Sequence, residues 1–521
     1  MRYLVLASVL IAAAVSVVAV PSSDADYDQV AFSVDGVYYI IDELGAYVCS
    51  YDAEVPEPNL VIPESVSYQG TSYTVVGITS SGIFTTGVIT VTLPSTIVDY
   101  KIAAVTSPTV TAINVASSKY VSEDGVVYDK DKFTLIQYPR GKTDEVLDVA
   151  DTVKVIEDSS VAANPFIQTV NLPTTVLSIG DYAFEECTSL AHINSRYEDA
   201  LPDMTVVIGS YAFSGCSALK SLVFDYSLKS IGDGAFSSSG LEEVSLPYAL
   251  SALGSAVFSD CTSLKYITGG SSIFIDFDGV LYESRENYKS LVCYPAGREG
   301  DSFVIPEETT SISDSAFDGC LYLKNVELPS KMTEVPAFSF GGCTSLEHVK
   351  MSDAVMSIGM FAFVDCVNLR DVTIPAKVGA IGMYAFSGTA LTSVTIPSSV
   401  SFLDMGAFSK CPSLKTALFE DGEILLDSNI FLDSAALETV EFEGKSVTFS
   451  EYSLSVGIGP EPKDLTVIVP KGLSVPDNVS DEFTNISIEV LGERPYPYVN
   501  LIGVAICIVI LFLIVYSVRE V

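Results

Sequence analysis

Ser311-Ile-Ser-Asp-Ser-Ala-Phe317-Asp-Gly-Cys320-Leu-Tyr-Leu323-Lys-Asn-Val326-Glu-Leu328-Pro329 is one copy of a phrase that recurs between Phe303 and Phe442. Aligning Phe317, Phe340, Phe363, Phe386, Phe408 and Phe431 gives steps of 23, 23, 23, 22 and 23 residues. A period this short cannot enclose a core of its own, so each copy must bury its apolar edge against its neighbours. The spacing predicts a solenoid.

Within one copy, Leu391-Thr-Ser-Val394-Thr-Ile396-Pro397 alternates as a half-buried strand does, and the proline, which cannot donate to a ladder, ends it. Ile-Gly follows (Ile179-Gly180, Ile231-Gly232, Ile358-Gly359, Ile381-Gly382) and predicts a tight backbone turn. Ala-Phe then sets a small and a large side chain into each layer, which predicts a phenylalanine spine. Val161, Phe184, Phe213, Phe236 and Phe258 carry the same slot upstream, with extra length at Ser195-Arg-Tyr-Glu-Asp-Ala-Leu-Pro202 read as a surface bulge. Val105 and Val161 replace the Phe, and Val335-Pro336-Ala337 replaces Ile-Gly, so these units are expected to be looser.

The phrase Ile-Gly-x-x-Ala-Phe-x-x-Cys-x-x-Leu resembles the leucine-rich repeats of the BspA-like (Treponema-type) subfamily, over roughly Val76 to Phe442. The resemblance implies a curved, right-handed solenoid with a parallel sheet along one face. It also implies an extracellular role in adhesion or protein binding, with no catalytic residues to carry over.

The expected fold class is a β-rich leucine-rich-repeat solenoid with ~23-residue repeats, two β-hairpin inserts, β caps at both ends and one C-terminal transmembrane helix. Arg2 and the apolar run Tyr3–Val20 before Pro21-Ser-Ser-Asp-Ala25 read as a signal peptide over residues 1–25. Alternation around Asp35-Gly36 predicts a hairpin within an N-terminal β cap at 26–75. Repeats are expected at 76–118, 144–267 and 303–444. Between them, Glu123-Asp-Gly-Val-Val-Tyr128 with Leu135-Ile-Gln-Tyr-Pro-Arg-Gly-Lys142 is echoed by Phe277-Asp-Gly-Val-Leu-Tyr282 with Leu291-Val-Cys-Tyr-Pro-Ala-Gly-Arg298, giving hairpin inserts at 119–143 and 268–302. A C-terminal β cap and spacer is read at 445–495. The uncharged stretch within 496–518 is long enough to span a bilayer as a helix, leaving a cytoplasmic tail at 519–521.

Composition narrows function. There are 27 basic and 66 acidic residues, a formal charge of -39, which argues against nucleic acid because phosphate binding rests on Lys and Arg. With no Trp, two His, and neither a Gly-x-Ser-x-Gly elbow, a Cys-x-x-Cys, a phosphate loop nor an EF-hand spacing, no enzyme, cofactor or metal site is expected. Cys187, Cys216, Cys261, Cys320, Cys343, Cys366 and Cys411 share one slot, three residues after the Phe, that Ser239, Thr389, Ser434 and Asn164 fill elsewhere. Such a slot wants a small hydrogen-bonding group, and rungs about 4.8 Å apart with parallel Cβ vectors do not suit a disulfide. They read as buried free thiols. His192 and His348 occupy equivalent strand positions in distant repeats and cannot form a pair.

What remains is a binding surface. The outward strand positions line up as columns: Lys324, Asn325 and Glu327; Glu347, His348 and Lys350; Arg370, Asp371 and Thr373; Thr392, Ser393 and Thr395. Glu242, Glu243 and Ser245 occupy the same positions earlier. These predict a single-pass protein of the cell membrane, C-terminus cytoplasmic, whose ectodomain binds an extracellular protein or glycan. The rival expectation is a passive envelope coat or stalk. Asn478-Val-Ser480 and Asn485-Ile-Ser487 are candidate N-glycosylation acceptors.

Overall fold

Leucine, valine and isoleucine recur two residues apart in each repeat, and in the computed structural model they form short parallel strands. The structure describes residues 31–53, 56–286, 288–457, 463–481 and 484–491. The stretches read as signal peptide, at 1–25, and transmembrane helix, at 496–518, lie outside them. Among the described residues no helix is long and apolar enough to cross a membrane. The chain divides into two compact units, one running up to Lys324 and taking in Phe338–Ser345, the other holding Asn325–Ala337 and continuing from Leu346.

In the first unit, Val146–Asp148, Thr169–Asn171 and His192–Asn194 pair in parallel, each strand one layer beyond the last. The sequence reading expects this front ladder. A second ladder was not foreseen: Thr134–Gln137, Val155–Ile156, Ser178–Ile179, Val207–Ile208, Ser230–Ile231 and Ala252–Leu253 also pair in parallel along the back. The Ile of Ile-Gly is therefore the inward residue of a two-residue strand. The glycine answers a different demand from the one expected. A Cβ on Gly232 would lie 2.4 Å from the Ser210 nitrogen, so glycine is needed because the backbone of the layer before it passes too close for any side chain.

A third set of bonds joins the layers where no strand forms. Residues two before and two after each core Phe take left-handed backbone, as at Tyr182 (φ 57) and Glu186 (φ 55) around Phe184, and Tyr211 (φ 55) and Gly215 (φ 73) around Phe213. This turn aims alternate N–H groups at the next layer. Tyr182, Phe184 and Glu186 donate to the carbonyls of Ser210, Ala212 and Ser214, each at 2.8 Å. Left-handed backbone costs a non-glycine residue about 1–2 kcal/mol, and three interlayer bonds that would otherwise be buried and unmade offset it.

The phenylalanines stack between these ladders. In the first unit Phe184, Phe213, Phe236 and Phe258 lie nearly parallel with ring centroids 5.2, 5.3 and 5.8 Å apart. Tyr294 stacks on Phe317 at 5.2 Å, and Phe317 on Phe340 at 4.8 Å. In the second unit Phe363, Phe386 and Phe408 repeat the pattern at 5.1 and 5.2 Å. Val105 and Val161, which stand in place of the Phe, are buried as fully as the phenylalanines. Beside Val105 the buried Gln137 amide fills the room: its Nε2 donates to the Val105 carbonyl at 2.6 Å, and Tyr100 Oη bonds its oxygen.

Residues 119–143 hold three short strands. Tyr120–Glu123 pairs antiparallel with Val126–Asp129, which pairs antiparallel with Thr134–Gln137, and this last strand joins the back ladder. Phe274–Phe277, Val280–Arg285 and Tyr288–Cys293 repeat the arrangement, joining Ser311–Ile312. At the amino end, Phe32–Val34, Val37–Ile41 and Ala46–Tyr51 form an antiparallel meander, and the front ladder already begins at Asn59–Val61, paired with Thr90–Thr92. At the far end of the second unit the front ladder runs on through Thr439–Phe442 and Lys463–Pro470 to Thr484–Leu491.

Candidate functional site

Strand alternation places the proposed columns on the outer surface. In Ser393–Ile396, Val394 and Ile396 are buried while Ser393 and Thr395 are exposed, as is Thr392 just before the strand. Asn325, His348, Lys350, Arg370, Asp371 and Thr373 are exposed, and Glu327 and Glu347 are half-buried. Lys324 is exposed too, but closes the other unit, where its N–H donates to the Asp301 carbonyl.

The register joins some of these residues and separates others. Asn325 stands beside His348, and His348 bridges to Asp371. Glu327 stands beside Lys350, and their side chains form an ion pair. Ser393 instead begins a ladder with Thr416, which continues to Thr439. The face is a mixture of charges and hydroxyls, and surface pairs such as Lys350–Glu327 contribute on the order of 0–1 kcal/mol to folding.

Sequence reasoning missed a more connected polar surface in the first unit. Asp148, Asn171 and Asn194 fall in one register across three strands. Asn171 Nδ2 donates to Asp148 Oδ1 at 2.6 Å, and Asn194 Nδ2 to Asn171 Oδ1 at 3.1 Å. The extra residues after Asn194, read as a surface bulge, fold back onto this face. The Asp199 N–H donates to Asn194 Oδ1, its Oδ1 meets His192 Nδ1 at 2.9 Å, and its Oδ2 accepts from Ser221 Oγ at 2.9 Å. The spacing of 23 residues between Asp148, Asn171 and Asn194 was the available signal. His192 thus has a carboxylate partner, and it lies in the unit that does not hold His348. A carboxylate between a His and a Ser is not a catalytic relay, which needs the His in the middle.

The shared cysteine slot is structural. Cys216, Cys261, Cys343 and Cys411 donate from Sγ to the carbonyls of Phe184, Phe236, Phe317 and Phe386 at 3.0–3.2 Å. Ser434 Oγ makes the same bond to Phe408, at 2.8 Å. Burial pushes the thiols of Cys187 and Cys261 up to about 12, so neither is a thiolate nucleophile at neutral pH. Among the described residues no two cysteines are joined by a disulfide. Among the described residues no group of three or more His, Cys, Asp or Glu is placed to hold a metal ion. Asn478, on the turn Asp477–Val479, and Asn485, on the strand Thr484–Leu491, are both exposed.

Stacked parallel layers, a phenylalanine core, thiol rungs and a variable polar front define a leucine-rich-repeat solenoid, a class that commonly binds proteins or other ligands and is generally non-enzymatic. The model of the BspA type leucine rich repeat region matches residues 145–199, 197–275, 297–415 and 379–456, more than half of the sequence, and the chain belongs to that family. No curated protein sequence matches it. Among solved structures, it is similar to a leucine rich cell surface protein from Faecalibacterium prausnitzii, at 22% identity and TM-score 0.48, over 81% of this chain and 96% of that one. It is also similar to the pneumococcal vaccine antigen PcpA, at 19% identity and TM-score 0.47, over 89% and 99%. A leucine-rich repeat protein from Eubacterium ventriosum aligns at 19% identity and TM-score 0.42, over 64% and 84%.

Proposed function

We propose that this chain is exported, held at the cell membrane by the apolar stretch at 496–518, and uses the front of its solenoid to bind an extracellular protein or glycan. The observation that carries the reading is the division of labour within each strand. Inward positions such as Val326, Val349 and Val394 are buried and apolar, whereas outward positions vary freely in charge and size. Affinity on such a face comes from many shallow contacts rather than from one deep pocket.

The test is charge reversal on the columns. Lys350→Glu with Arg370→Glu, in the full chain displayed on cells, is expected to reduce attachment to host matrix or to other cells at least tenfold. Unchanged attachment with display intact would favour a passive coat. Surface labelling of intact cells tests the placement, since a chain inaccessible to a membrane-impermeant reagent is not an ectodomain. Asn478 and Asn485 are proposed as glycan acceptors in a host that glycosylates exported asparagines, read by a mass shift lost on Asn→Gln.

A further inference from the structure

The two three-stranded inserts are built alike, but a different residue stands beside the Asp-Gly turn in each. In each, the glycine of an Asp-Gly turn accepts a hydrogen bond from the front strand beside it: Ile113 N–H to the Gly125 carbonyl at 3.0 Å, and Ile267 N–H to the Gly279 carbonyl at 3.1 Å. In each, a basic residue from the Tyr-Pro-x-Gly-(Lys/Arg) segment holds the turn's aspartate: Lys142 with Asp124 at 2.8 Å, and Arg298 with Asp278 at 2.6 Å. The residue before the bonded isoleucine differs. In the second insert it is Tyr266, whose ring carbon Cδ1 lies 3.3 Å from where a Cβ on Gly279 would stand. In the first it is Ala112, and beside it opens a hollow of about 450 Å³ lined by Asn114, Ser122, Asp124, Lys142 and Asp144. The hollow is open to solvent and its lining is mostly polar.

The lining selects the ligand. Lys142 is largely buried and bonds both Asp124 and Asp144, the latter at 2.9 Å. Burial alone would pull its ammonium down, but the hydrogen bonds to the two carboxylates outweigh this and hold it above the ordinary lysine value. One cation between two carboxylates repels an anion and offers a second cation a site already occupied. An apolar molecule would strip water from these polar groups without replacing their bonds. A neutral ligand carrying donors and acceptors on adjacent carbons satisfies the ammonium and the carboxylates together. We propose that this hollow binds one residue of a neutral sugar, its neighbouring hydroxyls bridging Lys142 to Asp124 and Asp144. The inference rests on the reading that this is an exported binding protein, and names one site and ligand class for it.

The second insert supplies the test. Ala112→Tyr copies Tyr266 into the hollow without touching the ion pairs, and Lys142→Met removes the central donor. Full chain in detergent is titrated with the methyl glycosides of glucose, galactose and N-acetylglucosamine, read by saturation-transfer NMR, with melting curves taken in parallel. At least one glycoside is expected to bind saturably, and each variant that melts as wild type does is expected to weaken it tenfold or more. No saturable binding by any of the three, equal binding by Ala112→Tyr, or stronger binding of a sialylated or sulfated sugar would overturn the proposal. Attachment of wild-type cells without any sugar signal sinks this inference alone. A sugar signal unaffected by Lys350→Glu with Arg370→Glu, in cells whose attachment is also unaffected, sinks the column reading alone.

Discussion

Asp318 is the residue whose replacement the structure predicts in most detail. It follows Phe317 in the slot that holds Ser214, Ser237 and Ser259 after earlier phenylalanines, where Ser214 and Ser237 share a hydrogen bond at 3.0 Å. Ser259 Oγ bonds Asp318 Oδ2. Burial pushes the Asp318 carboxyl from 3.8 up to about 8; the Ser259 bond opposes this, and Asp260 and Cys343 add to the rise. A group whose folded value lies above its unfolded one contributes its full stability below pH 3.8. That contribution is lost as pH rises towards about 8, and is flat beyond it. Between pH 3.8 and 7, at about 1.4 kcal/mol per pH unit, the loss reaches about 4 kcal/mol. Part of the side chain's surface still reaches solvent, which makes this an upper bound. Asp318→Asn keeps the shape and an acceptor for Ser259 but never ionises. Urea unfolding of both chains from pH 3 to 9 should give coincident curves at pH 3 and a variant more stable by roughly 2–4 kcal/mol at pH 7. A gap that does not change with pH, or a variant less stable at pH 7, would refute the reasoning.

Phe386→Ala removes a ring stacked on both sides, at 5.1 and 5.2 Å, and should cost about 3–5 kcal/mol in chemical unfolding, with Phe386→Leu costing less. The rung cysteines should resist alkylation at pH 8 in the folded chain and react only in urea, counted by mass spectrometry. Cys216→Ser should stay within about 1 kcal/mol of wild type, whereas Cys216→Val removes one of the two hydrogen bonds on the Phe184 carbonyl, which keeps the Cys187 N–H, and should cost about 0.5–1.5 kcal/mol. Gly232→Ala forces a methyl to within 2.4 Å of the Ser210 nitrogen and should lower the melting point, costing about 1–3 kcal/mol.

Period and alternation made the spine and the front strands legible, because Phe386 and Val394 owe their places to burial, and burial writes a regular pattern into sequence. The back ladder was not legible in the same way. Two residues such as Ser178 and Ile179 are too few to show alternation. Left-handed backbone at bulky residues such as Tyr182 and Phe361 contradicts local preference and is imposed by bonds to other layers. Gly232 looked like a turn because the neighbour that crowds it comes from another repeat. The polar network was hidden for a related reason, since Asp148, Asn171 and Asn194 are adjacent only across strands, while Asp199 joins them through a loop whose path no period describes. The hollow beside Ala112 is lined by residues from 111–125 and 142–144, segments that no repeat period marks as neighbours.

The flanking left-handed pair around each phenylalanine has an implication for how such a chain changes over generations. The layers of Phe184, Phe213, Phe236, Phe363 and Phe386 each offer their successor the same three N–H groups and meet the same three carbonyls there, whatever side chains decorate the front. A gene that slips by one period during replication joins a donor set to a matching acceptor set, so the shortened or lengthened protein meets no foreign junction. Length thus becomes heritable in whole layers, each gain adding fresh frontage on which new recognition can be tried while the hydrogen-bonded frame stays in step.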